Sequence, residues 1–159
     1  MNLYQNAGAA ALAIAQMSAI AQDTTCSAAS CPAGSKVVTV EEPGVSFYFC
    51  PTKELSEYTA VVMGMVVSIY SLSNRFPNIS PITGEPELKG LSAEMVTSYR
   101  QRAGVRTFDQ AVAICKTGRK KIKAVIDNAS EDSISAWVSV AGRPSDAFWV
   151  PMANLAKRK

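Results

Sequence analysis

Seventeen consecutive residues, 58–74 (YTAVVMGMVVSIYSLSN), carry no charge. A stretch so apolar on nearly all sides has to be covered on more than one of them, and this constrains the fold more than any other feature. Pro51-Thr52 breaks the segment before it. Thr52 suits an N-cap, and Glu54 suits the first helical turn. The pattern predicts one helix over residues 53–75. Its uncharged length falls short of the roughly 20 apolar residues of a membrane span. Thr59, Ser68, Ser71, Ser73 and Asn74 also interrupt it. We therefore read a central core helix rather than a span. Ala60, Gly64 and Ser68 lie four apart and share one face, a small-residue stripe that admits close approach of another element. Whatever the monomer leaves uncovered on this helix is an assembly surface.

The flanking sequence supplies partners. Residues 36–50 (KVVTVEEPGVSFYFC) predict a β-hairpin turning at Glu-Pro-Gly. Residues 76–91 hold three prolines and two glycines and predict a long irregular loop, a candidate contact surface. Two short helices follow. Ser92 is the expected cap of the first, which ends at Gly104. Thr107 and Gln110 form a capping box for the second, which ends at Gly118 with Cys115 facing inward. Ile122, Ala124 and Ile126 then share a strand face. Ile134, Ala136, Val138 and Val140 alternate with Ser133, Ser135, Trp137 and Ser139, and DAFWVPM makes a third strand. The expected fold is α+β: an N-terminal β-hairpin, a central hydrophobic helix plus two short helices, and a C-terminal three-stranded antiparallel segment. It forms one domain over residues 36–159, with the sheet packed on the central helix.

The N-terminal residues 7–21 (AGAAALAIAQMSAIA) pair an apolar run with a small-x-small end at Ala19-Ile20-Ala21. That is the pattern of a signal peptide, here residues 1–21, although no Lys or Arg precedes the run. The competing reading is an amphipathic helix retained on the chain. Residues 22–35 then read as a flexible, cysteine-containing segment. The four cysteines are Cys26, Cys31, Cys50 and Cys115. C-x4-C is not a C-x-x-C redox pair, and Cys50 and Cys115 stand alone, unlike zinc ligands. An even count behind an export signal favours two disulfides. Cys26–Cys31 and Cys50–Cys115 are the favoured pairs. The other connectivities tie the N-terminal segment to the core, and four reduced thiols in a cytosolic protein are the opposing reading.

The chain contains no histidine. This excludes His-based acid–base and nucleophile systems and every His-containing zinc site. Dinucleotide, P-loop, nucleophile-elbow and EF-hand motifs are missing too. Glu41-Glu42 and Glu131-Asp132 are adjacent pairs whose side chains point apart. We expect no catalytic residue, cofactor or metal ligand, and no small-molecule substrate is evident.

Charge is unevenly distributed. Residues 1–88 hold 3 basic and 7 acidic side chains, and residues 89–159 hold 13 and 6. The densest basic run gives Lys116, Arg119, Lys120, Lys121 and Lys123, a candidate patch for nucleic acid, an anionic lipid surface or an acidic protein partner. The competing reading is a solvated face with lysines guarding a strand edge. Trp137 and Trp149 are candidate interface aromatics, or else parts of a second small core.

Together these features predict an exported, disulfide-stabilised, non-catalytic binding or assembly protein of the bacterial envelope or cell surface, periplasmic or secreted, that works through protein–protein contacts or self-assembly. The alternatives are a structural subunit of a virion or filament that keeps its N-terminal helix, and a basic nucleic-acid-binding module of the cytoplasm.

Overall fold

The computed structural model describes residues 24–42, 44–130 and 132–158. The expected signal peptide lies outside the described residues. Three helices form. α1 spans Lys53–Ser73 and starts where expected: the Thr52 side chain accepts from the Leu55 N–H at 3.3 Å. It stops at Asn74, which turns left-handed and donates its N–H to the Tyr70 carbonyl. α2 spans Leu91–Arg102. Its start is set by Gly90, at φ 60° and ψ −141°, rather than by Ser92, because that backbone conformation suits glycine alone. α3 spans Phe108–Ile114, with the Thr107 hydroxyl accepting from the Gln110 N–H at 3.1 Å. The Gln110 side chain reaches back to the Arg106 N–H. α3 ends four residues before Gly118 because Cys115 is extended and Lys116–Thr117 is drawn into a strand.

The strands are β1 (Lys36–Thr39), β2 (Tyr48–Phe49), β3 (Lys116–Thr117), β4 (Lys123–Ala129), β5 (Ser135–Val140), β6 (Arg143–Pro151) and β7 (Leu155–Lys157). The fold is α+β, with a five-stranded antiparallel sheet in the order β6-β5-β4-β1-β7 and a two-stranded sheet β2-β3. β4, β5 and β6 are the expected C-terminal antiparallel segment. The N-terminal hairpin segment folds back, with the Val45 N–H donating to the Glu42 carbonyl. Its two strands then pair with other partners: β1 lies between β4 and β7, and β2 pairs with β3. Burial explains the choice. Val37 and Thr39 of β1 are fully enclosed and need ladder partners on both sides. Cys115 meanwhile brings Lys116 opposite Phe49.

A cysteine segment meets each edge of the large sheet. Beyond β7, Thr25 bridges to Ala156, and the Cys26 N–H donates to the Leu155 carbonyl at 2.7 Å. Beyond β6, Cys50 and Trp149 exchange two backbone hydrogen bonds of 2.9 Å each. The disulfides Cys26–Cys31 and Cys50–Cys115 sit at these two places, so each covering segment carries a covalent bridge of its own. The segment that its small residues mark as flexible has both cysteines buried, and the Gly34 N–H is bonded to the Ile126 carbonyl.

The molecule has two cores rather than a sheet laid on a helix. Val37, Ala124, Ile126, Ala136, Val138, Val150 and Leu155 pack with Phe47 and the Cys26–Cys31 bridge. Leu55, Tyr58, Val62, Val96, Val105 and Ala111 pack around Cys50–Cys115. Where α1 meets the sheet, the contact is polar. Ser56 and Ser135 share a hydrogen bond of 2.8 Å, and the Ser133 hydroxyl donates to Glu57 at 2.9 Å. The alternation of β5 dictates this, since Ala136 and Val138 face the sheet core while Ser135 faces the helix.

Candidate interaction surfaces

α1 changes character halfway along. Residues 55–59 and Val62 are buried, and no residue after Val62 is. Ala60, Gly64 and Ser68 line a groove of about 240 Å3 whose far wall includes Phe47, Tyr48 and Pro151. A methyl group built on Gly64 would meet nothing within 4 Å, so the close approach that the stripe permits is unused within the monomer. Other large apolar side chains, at the end of α1 and after it, are more exposed still. Leu72 is 90% exposed, Leu91 83%, Ile82 81% and Phe76 75%, with Phe76 stacked on Tyr70. Isolated exposed leucines need no explanation, but an apolar helix end flanked by an apolar loop is a surface of a different kind.

The loop after α1 is tied to the helical core. Buried Glu85, in the loop after α1, accepts from the Tyr58 hydroxyl at 2.7 Å and is paired with Arg100 of α2. The Tyr58 phenol is pushed far above its ordinary value, first by burial and then by the Glu85 carboxylate. The loop is also tied internally, Ser80 N–H to the Glu85 carbonyl and Glu87 N–H to the Asn78 carbonyl, each at 2.8 Å. Residues 76–90 hold no helix or strand element, as expected of a long loop, and these bonds make the loop a small ordered lobe. A second buried acid, Glu57, is satisfied by Arg102 at 3.0 Å, Ser133 and the more distant Lys53. Sequence reading missed both carboxylates as organisers. Glu57 had a visible signal, as the last charge before the apolar run.

α1 has the length and composition of a membrane span. Its first half, however, is built into the helical core with Glu57. The outer residues 63–73 extend about 16 Å at 1.5 Å per residue, against roughly 30 Å of hydrocarbon.

Two residues of the basic run border a cleft. Lys116 and Arg119 line a cleft together with Arg143, while Lys120, Lys121 and Lys123 are exposed outside it. None of the five is ion-paired among the described residues. Trp137 and Trp149 are cross-strand neighbours with ring centroids 5.7 Å apart, both half-buried.

Two disulfides fit an oxidising, non-cytoplasmic location. Comparison with protein-family models, curated proteins and solved structures gives no match.

Proposed function

We propose that this chain is an exported, non-catalytic binding or assembly protein that works by protein–protein contact through the outer half of α1 and the adjoining lobe. One observation carries the reading: Leu72 and Phe76 at the outer end of α1, Ile82 in the loop that follows and Leu91 at the start of α2 each stand three-quarters or more exposed. Their framework supports it. Glu85 clamps the lobe to Tyr58 and Arg100, so the loop after α1 is ordered against the helical core. A preordered surface loses little entropy on docking, and this favours a stable partner. Two disulfides suit a life outside the reducing cytosol.

A photo-crosslinking amino acid at position 72, expressed in the native host, tests this. The expected result is one discrete protein adduct, with none from exposed position 132. Equal, diffuse labelling from both positions rejects the surface.

A further inference from the structure

A cleft of about 400 Å3 opens between the β2–β3 pair and the start of β6. Sites for small organic ligands occupy roughly 300–1,000 Å3, far more than an inorganic ion fills. Its rim carries Lys116, Arg119 and Arg143 against a single acid, Asp146, which leaves a net charge of +2. Asp146 is committed to Arg143 at 3.2 Å, whereas Lys116 and Arg119 are ion-paired with nothing among the described residues. One wall is aromatic: Phe49 and Phe148 stack with centroids 3.9 Å apart. Ile122 extends the apolar lining.

The cationic groups stand on a fixed frame. Buried Thr39 brackets the loop that bears Arg119. Its hydroxyl donates to the Arg119 carbonyl and accepts from the Ile122 N–H at 2.8 Å, and its own carbonyl accepts from the Lys121 N–H at 2.7 Å. The Gly118 N–H is bonded to the Phe47 carbonyl. Lys116 follows Cys115, whose bridge to Cys50 forms part of the cleft. A backbone held this way has less freedom left to lose when its side chains meet an anion.

We propose that this cleft binds a small organic anion with an aromatic body. Its phosphate or carboxylate meets Lys116 and Arg119, and its ring lies along the Phe49–Phe148 wall. The site is distinct from the apolar end of α1, and its test does not depend on that surface.

The probe is phenyl phosphate, titrated at constant ionic strength into the oxidised chain and followed by amide NMR shifts. We expect saturable one-to-one shifts centred on Phe49, Lys116, Arg119 and Phe148. Inorganic phosphate should bind at least ten-fold more weakly. The exposed substitutions Lys116→Glu and Arg119→Glu should each weaken phenyl phosphate at least ten-fold while the remaining spectrum is preserved, and Arg119→Gln should fall between. Absence of saturable shifts at these amides overturns the proposal. So does equal affinity for the two phosphates, or binding that survives both charge reversals.

Discussion

Gly118 sits where the basic loop crosses the sheet core. Its N–H bonds to the Phe47 carbonyl, and a Cβ at this position would run into the buried Phe47 ring. Gly118→Ala should therefore cost about 1–3 kcal/mol through overpacking, read as a lowered urea midpoint at unchanged slope. Tyr58 makes a different prediction. In the unfolded chain its phenol ionises near pH 10, while in the folded chain it keeps its proton well beyond that. Above pH 10 the unfolded state thus binds fewer protons, so stability is full below that pH and falls as pH rises. Burial shifts Tyr48 in the same direction. Urea unfolding at pH 8 and 10.5 should show the loss. Tyr58→Phe should flatten it, while costing about 1–2 kcal/mol at neutral pH by leaving Glu85 short of a donor. An alkaline loss unchanged in Tyr58→Phe would assign it elsewhere. Caps at Thr52 and Thr107 were legible in the sequence because capping is local. The partners of Glu57 and Glu85 were not, since Arg102 lies 45 residues from Glu57 and Ser133 lies 76.

Among elements, helices were easier to foresee than strand partners for the same reason. The apolar run and its caps defined α1 to within two residues at its end. The strands of segment 36–50 were recognisable by composition, but their neighbours are drawn from residues 116–157, and period-two alternation carries no information about which strand lies alongside. Gly118 invited a longer α3, yet the pull of β2 on Lys116–Thr117 overrides it. The two disulfides, one beside each edge of the sheet, close very different loops, 5 and 65 residues in separation. Loop-closure entropy makes the first worth about 2 kcal/mol and the second about 4 kcal/mol. Paired alanine substitutions compared by denaturant unfolding should show the Cys50/Cys115 loss to be about double that of Cys26/Cys31. Equal losses would mean that edge coverage, rather than chain closure, sets their contribution.

At the level of the whole molecule, the sequence pointed to one sheet on one helix, and the chain builds two cores joined by serines. The clean alternation in β5 already held the clue, because its polar face had to meet something polar, and Ser56 and Glu57 answer it. What could not be read was that the helical layer is a single excursion. It leaves the sheet region at Phe49 and returns at Lys116, directly opposite. All three helices lie between the cysteines of one bridge, whose Cα atoms are 4.4 Å apart. Under tension applied at the ends of the chain, force would pass through that sulfur link and bypass the helices altogether. Roughly 220 Å of contour, 65 residues at full extension, stays slack however hard the chain is drawn. A molecule anchored in an assembly could have its sheet pulled apart and still present the apolar tip of α1 in shape.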